Sequence, residues 1–405
     1  MNDFYFKPPE VFRDAGIDFR KVVSLQTMSR LKIGFAGRWD PRDKQSWSGT
    51  YYYSYQQLQA FADVEIIHLP YPKWLREYLI SFYKNPQKWF YQRKTAVEFL
   101  KPFAAYFSKQ LEKELIKRKV DLLYMPAAPQ LLAYTHLQVP TIFMTDATFQ
   151  QIQGYYDTWQ HFSPSNIRQG IELDQFAFQK ATHCMLASDW CKQSAINDYG
   201  LSEEKISVVP LGANLDFIPA KEELNVDGNS CRLLFLAVEW ERKGGAIALE
   251  TFYQLKKKGI NATLHIIGCV PPVAIKDAAI SVIPYLNKNN PNEFQQLHQI
   301  LLQTDYLLLP TRAEAAGVVF CEASAYGIPS ITTNTGGVTT YVREDVNGFA
   351  LPLDAGAELY AEKIASLYND ITAYKSLCTS SRELFEQELN WNAWGKRFQQ
   401  IASIL

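Results

Sequence analysis

From residue 31 onward, short apolar runs alternate with longer mixed stretches. The first series of runs is "LKIGFAG" (31–37), "VEIIHLP" (64–70), "VDLLYMP" (120–126), "PTIFMTD" (140–146), "HCMLAS" (183–188) and "ISVVPLG" (206–212). The first of them closes on small residues, as the opening strand of a doubly wound sheet does. Helical patterns lie between the runs, notably over 98–119. Strands alternating with helices predict a parallel α/β sheet. The stretch 212–230, "GANLDFIPAKEELNVDGNS", is polar, carries Pro and Gly, and breaks the rhythm. A second series then follows: "RLLFLAVE", a helix after Gly244 and Gly245, "ATLHIIG", "ISVIPY", "DYLLLP", "PSITT" and "NGFALPL". The pattern predicts two α/β domains of similar size, 1–211 and 212–385. A helix over about 386–405, marked by Trp391 and Trp394, is expected to pack back onto the first.

Composition narrows the function classes. A chain of 405 residues exceeds one typical domain. Its 47% hydrophobic and 20% charged content is that of a globular protein with ample core material. A formal net charge of -1 gives no support to a nucleic-acid binder. Six scattered cysteines with no C-x-x-C pair read as reduced core residues, and so as a cytoplasmic protein. The opening residues mix charges without an apolar stretch, which argues against a secretory signal. The longest uncharged run, between Asp121 and Asp146, holds Pro126, Pro129 and Pro140, so no transmembrane helix is expected.

Three loops carry candidate chemistry. In "LLFLAVEWERKGGAIALETF", Lys243 and the two glycines stand where a helix begins after a strand. Unpaired helix N–H groups, a positive dipole end and a lysine suit a phosphate, and Arg242 adds a second charge. An ordinary exposed lysine beside a helix start is the structural alternative. In "DYLLLPTRAEAAGVVFCEASAYG", Glu314 sits in the loop after a strand, and Glu322 lies about one and a half turns into the next helix. That helix is stopped by Gly327, with Pro329 after it. Side chains lean toward a helix N-terminus, so both carboxylates reach one ligand at the strand ends, where vicinal sugar hydroxyls would donate to them. The alternative is that Glu322 pairs internally with a buried arginine or lysine. The third loop, Ser48-Gly49-Thr50, is another small-residue helix start.

Two α/β halves, "ISVVPLGANLD", "WERKGG", "LHIIG", the two glutamates eight positions apart in "EAAGVVFCE", and "AYGIPSITTNTGG" together resemble a family-4 glycosyltransferase of the GT-B fold. The resemblance runs through most of the chain and is strongest over about 206–348. It implies two Rossmann-like domains facing a central cleft, and retaining transfer of a hexose from a nucleotide-diphosphate sugar, UDP- or GDP-hexose, to an acceptor hydroxyl. The acceptor would be a glycan, a glycolipid or a small molecule, in glycan or polysaccharide synthesis. By position it implies that Lys243 holds the donor diphosphate, with Arg242 beside it, and that Glu322 takes the ribose hydroxyls. Glu314 would lie against the donor sugar. Backbone N–H groups of Ala316, Gly317, Val318 and Val319 would face sugar and phosphate. Gly49 would meet the diphosphate from the opposite domain, and Tyr285 or Leu286 would lie near the base. Glu314, Asp146 and Lys243 are the implied catalytic residues.

Two departures stand out. Relatives commonly place an arginine five positions before the lysine, where this chain has Val238, and Arg242 is the substitute. They also carry a histidine where this chain has Asp146. With no D-x-D sequence, no metal or other cofactor is expected. A Rossmann oxidoreductase would need G-x-G-x-x-G after its first strand, and neither "GFAGRWD" nor "AVEWERKGG" supplies it. The remaining alternative is a non-catalytic nucleotide-sugar-binding protein in a GT-B shell. Residues 73–119 hold twelve Lys/Arg against four Glu, with Trp74, Tyr78, Phe82, Tyr83, Trp89, Phe90 and Tyr91 interleaved. That segment is either a packed aromatic face with a solvated basic one or a contact with anionic membrane.

Overall fold

The structure, a computed structural model, describes residues 30–73, 77, 96–224 and 226–405. Twelve strands form two six-stranded sheets. The first contains β1 (Lys32–Gly37), β2 (Asp63–His68), β3 (Leu122–Pro126), β4 (Thr141–Thr145), β5 (His183–Leu186) and β6 (Ile206–Val208), in the order β2-β1-β3-β4-β5-β6. The second contains β7 (Cys231–Leu236), β8 (Ala262–Ile267), β9 (Ile280–Ile283), β10 (Tyr306–Leu309), β11 (Ser330–Thr333) and β12 (Gly348–Leu351), in the order β12-β11-β10-β7-β8-β9. Every pairing between these strands is parallel. β3, β4, β5, β10 and β11 are buried along their whole length, which is why they read as unbroken apolar runs.

Parallel pairing has one consequence for function. All carboxyl ends of a sheet fall on one edge, and a crevice opens where neighbouring crossovers leave to opposite faces. The strand orders put that crevice between β1 and β3 in the first sheet and between β7 and β10 in the second.

Ten helices of two turns or more flank the sheets among the described residues: α1 (Thr50–Gln59), α2 (Lys101–Ile116), α3 (Pro164–Lys180), α4 (Asp189–Asn197), α5 (Gly245–Lys257), α6 (Pro291–Gln303), α7 (Val318–Ala325), α8 (Ala357–Asn369), α9 (Ile371–Gln387) and α10 (Trp391–Ala402). None of them is long and apolar enough to cross a membrane. Of the basic, aromatic segment 73–119, residues 74–76 and 78–95 lie outside the described residues, so its named aromatics do too. Its remainder supplies α2. All six cysteines are free thiols, and all but Cys269 are buried.

The last helix serves the first domain. Asn390 caps α10 by accepting from the Ala393 N–H at 2.9 Å. Trp391, Trp394, Phe398 and Ile401 then recur on one helical face and are buried. Trp394 is fully buried, with its ring edge-on to Tyr124 of β3 at 5.7 Å, and Phe398 meets the same tyrosine at 5.5 Å. The chain therefore crosses between the domains twice, over 209–230 and just before α10. The two crossings touch, since the Ala213 N–H donates to the Leu389 carbonyl.

Replacing Trp394 by alanine empties a closed site shared by β3 and α10. Trp394→Ala is expected to destabilise the protein by about 3–5 kcal/mol. Urea unfolding checks this, and a midpoint unchanged from wild type contradicts the packing described.

Candidate active site

The carboxyl edges of the two sheets face one another across a cavity of about 340 Å³. Its walls are the loops the strand order predicts. From the second domain come Val238, Arg242 and Lys243 after β7, Tyr285 and Lys288 after β9, and Glu314, Ala316, Gly317, Val318, Val319 and Glu322 after β10. From the first come Trp47, Ser48 and Thr50 after β1, and Asp146 after β4. Of the residues singled out in the sequence as candidate chemistry, all line this cavity except Gly244 and Gly245, behind Lys243, and Gly49, which is set back between Ser48 and Thr50. Tyr285 and Val238 stand at the rim, 60% and 68% exposed.

Glu314 and Lys243 are paired with each other. The Lys243 ammonium donates to Glu314 Oε2, and both side chains are nearly enclosed. Arg242 next to it is engaged with protein groups. Its Nε donates to Glu239 at 2.7 Å, its Nη1 to the Ala313 carbonyl at 2.8 Å, and its guanidinium lies 5.4 Å from the Tyr156 ring centre. Arg242 therefore braces the loop that carries Glu314.

Glu322 is 3% exposed, and its Oε1 accepts from the Lys288 ammonium at 2.5 Å. The internal partner that the sequence left open thus exists. It is a lysine on the loop before α6, about one-third exposed and standing at the cavity rim. A partner so placed can leave for solvent when another group reaches the carboxylate. The start of α7 contributes as well. Gly317, at φ 132°, precedes it, and no side chain caps its first turn. The opening N–H groups of α7 thus face the cavity side without a side-chain acceptor.

On the opposite wall, Trp47, Ser48 and Gly49 run at φ 48°, 54° and 92°, left-handed values that cost the two non-glycine residues strain. Asn214 holds this turn. Its Nδ2 donates to the Ser48 carbonyl at 2.7 Å, and its Oδ1 accepts from Trp391 Nε1 at 3.0 Å. A Cβ at position 49 would come within 2.9 Å of that amide, so only glycine fits the turn. Thr50 then opens α1, again with no side-chain cap.

Asp146 is partly buried. Desolvation pushes its carboxyl up to about 6, N–H bonds from its own backbone and from Ala147 oppose the rise, and the Glu314 charge adds to it. This places it near neutrality, the range in which a side chain exchanges protons most usefully.

Two tyrosines join the domains at the same place. Tyr155 Oη accepts from the Glu314 N–H at 2.9 Å and pairs with Thr335 Oγ1 at 2.9 Å, while Tyr156 Oη accepts from the Ala315 N–H at 2.8 Å. Gly336, at φ 53°, lies so close that a Cβ there would meet the Glu314 carbonyl at 2.2 Å. This close approach is the reason for the small residues in "TNTGG". Lys288, Trp47, Tyr155 and Tyr156 were not legible as site residues. Lys288 and Trp47 line the cavity and the two tyrosines hold its Glu314 loop, each from a loop whose local pattern carries no phosphate or sugar signature.

The Lys288–Glu322 pair makes an asymmetric forecast. Glu322→Gln removes a desolvated charge together with its partner's attraction, so the unliganded protein should change by about 1 kcal/mol or less. Lys288→Ala leaves the buried carboxylate without a counter-charge and should cost more, about 3–5 kcal/mol. Thermal unfolding of both variants checks the order, and a larger loss for Glu322→Gln reverses it.

Comparison with known proteins places this geometry. Residues 230–370 match the family model described as Glycosyl transferases group 1. A putative colanic acid biosynthesis glycosyltransferase, WcaL of Salmonella typhimurium, is 26% identical over 220 residues, 52% of this chain and 53% of that one. A D-inositol 3-phosphate glycosyltransferase of Nocardia farcinica is 23% identical over 188 residues, 42% of each chain. The chain spans about half the length of the curated relatives it matches. Among solved structures, sucrose-phosphate synthase of Thermosynechococcus elongatus superposes over 92% of this chain and 98% of its own, with a TM-score of 0.64 and 15% identity. WaaG, a glycosyltransferase involved in lipopolysaccharide biosynthesis, covers 92% of this chain and 99% of its own, at a TM-score of 0.59 and 13% identity. Anabaena HepE in complex with UDP covers 93% and 100%, at 0.57 and 15%. Residues 230–370 are thus similar to group 1 glycosyltransferases, and the chain has the GT-B fold of these solved structures.

Proposed function

We propose that this protein is a retaining glycosyltransferase that moves a hexose from UDP-hexose or GDP-hexose to an acceptor hydroxyl, in the synthesis of a glycan, glycolipid or polysaccharide. One observation carries the proposal. Lys243, Glu314 and Glu322 from one domain converge with Ser48, Thr50 and Asp146 from the other on a single cavity at the facing strand ends. The names of the relatives support it, as does a HepE structure that holds UDP and glucose. The donor is a substrate, and no resident cofactor forms part of the proposal.

In this reading the donor exchanges partners with the two lysine–carboxylate pairs. The diphosphate takes Lys243 from Glu314, and the N–H groups at Ala316, Gly317, Val318 and Val319 and at the start of α1 meet its remaining oxygens. Ribose hydroxyls donate to Glu322, and Lys288 moves out to solvent. Glu314, released from Lys243, accepts from the hexose hydroxyls beside the reacting carbon. The bond from the anomeric carbon to the phosphate oxygen then breaks. A bond to the acceptor oxygen forms on the same face, and the hydroxyl proton passes to the departing diphosphate. Catalysis is electrostatic, because fixed charges and N–H groups meet negative charge where it develops. Closure of the two domains keeps water, the competing acceptor, out. The exposed lysines of α2, including Lys109 and Lys113, offer positive charge that suits a cytoplasmic enzyme working at an anionic membrane.

Lys243→Ala should weaken UDP or GDP binding by ten- to a hundredfold, as loss of one charged phosphate contact worth about 1.5–3 kcal/mol requires. Calorimetry with the free nucleotides checks this, and unchanged affinity in a folded variant would sink the assignment. Product from UDP- or GDP-hexoses should keep the donor's anomeric configuration by NMR, and an inverted product overturns the retaining reading.

A further expectation concerns pH. If ionised Asp146 accepts a hydrogen bond from the attacking hydroxyl, kcat/KM should fall about tenfold per pH unit below about 6. Asp146→Asn should lower turnover and lose that limb. The stability sign runs the other way. A carboxyl raised above its ordinary value is penalised when ionised, and the penalty grows from about pH 4 and is complete above about 6. Asp146→Asn should thus melt no lower than wild type at pH 7, and a pH profile identical to wild type removes Asp146 from the chemistry.

A further inference from the structure

The crevice between β1 and β3 is also occupied by a cavity, of about 150 Å³. Arg38 and Trp39 reach it from the loop after β1, Gln130 from beyond β3, and Asp146 from the end of β4. Asp146 lines this cavity and the larger one alike, so the two meet at this residue.

Three donor groups around it are buried without an acceptor: Nε and Nη1 of Arg38 and Nε2 of Gln130. Gln130 is 2% exposed. A buried donor left unpaired forfeits its hydration, so three converging on one cavity mark a place for oxygen atoms. The guanidinium is held rigidly while it waits, 5.0 Å from the Trp39 ring centre and 4.7 Å from that of Tyr71.

Charge and shape then select the class of ligand. Against the single guanidinium stand three carboxyl groups that line the same cavity, Glu98, Asp146 and Asp174. Glu98 already acts on Arg38 as its opposing charge. Burial lifts Asp146 to about 6 and Asp174 to about 7, as surroundings without surplus positive charge do. A second anion would enter against Glu98 and Asp146. A neutral polyol meets no such opposition, because its oxygens accept from Arg38 and Gln130 while its hydroxyls donate to the carboxylates. Trp39, 37% exposed, and Trp159 in the wall offer apolar ring faces of the kind that pyranose C–H groups cover.

We propose that this cavity is the acceptor site and that it takes one neutral pyranose, held by Arg38 and Gln130, with its attacking hydroxyl at Asp146. The assignment rests on the transferase reading above and supplies its acceptor class. The bond made is the one already described, from that hydroxyl oxygen to the anomeric carbon of the donor sugar.

The test uses the full chain saturated with UDP or GDP, whichever binds. Methyl glycosides of glucose, galactose, mannose and glucuronic acid are titrated by saturation-transfer NMR. At least one neutral hexoside should bind more tightly than the glucuronide. Arg38→Met should weaken it at least tenfold and Gln130→Leu several-fold, with nucleotide affinity as in wild type. Arg38→Lys, which keeps the charge but loses the second nitrogen's geometry, should fall between, and serves if the methionine variant does not fold. The proposal is overturned by preference for the glucuronide, by neutral hexoside binding that ignores both substitutions, or by nucleotide binding with no hexoside binding. If neither nucleotide binds but a neutral hexoside still depends on Arg38, the sugar site stands and the transferase reading falls.

Discussion

A carboxylate in a protein wall needs a positive group against it or hydroxyl and N–H donors around it, because burial strips it of water. The cleft of this protein holds two such carboxylates on one strand–loop–helix unit. Lysines from two other loops answer them, Lys243 for Glu314 and Lys288 for Glu322. These pairs tie the loops after β7, β9 and β10 together across the crevice of the second sheet, so they shape the cavity as well as neutralise it. The same need gives the site its capacity to exchange. A ligand with anionic oxygens and free hydroxyls can satisfy both members of a pair at once.

The position of Glu314 is fixed from two directions. Its own domain supplies Arg242, which bridges the loops through the Ala313 carbonyl, and Gly336, whose lack of a side chain admits the Glu314 carbonyl. The other domain supplies the hydroxyls of Tyr155 and Tyr156, which accept the N–H groups of Glu314 and Ala315. Backbone groups that a loop would ordinarily pair within its own domain are here paired across the cleft. The loop therefore takes this shape only while the domains are apposed, and the geometry around Glu314 reports closure directly.

The two domains, their strands and most of the cavity wall were legible in the sequence because parallel strands announce themselves as continuous apolar runs, and because their following loops must gather at one edge. Lys243, Glu314 and Glu322 were legible for the same reason, each sitting at a fixed offset from a strand end or helix start. Lys288, Arg38, Gln130 and the tyrosine pair were not. Their meaning lies in what they face across the fold, and no local period encodes that. Gly49 shows a finer limit. The helix start beside it was foreseen, but its glycine is required by Asn214, 165 positions away in sequence yet packed against it (49 to 214). The sequence also left Glu322 between a ligand and an internal partner, and the structure gives it a partner that stands at the ligand's own doorway.

Trp394 sits inside the first domain, against a strand made long before it. During synthesis the first sheet can be complete, with β1 to β6 paired, while its side at Tyr124 still waits for α10. The entire second sheet must be translated first. Until then an aromatic face of the first domain lies open, and the nascent chain carries a surface on which a chaperone, or a neighbouring nascent chain, can settle.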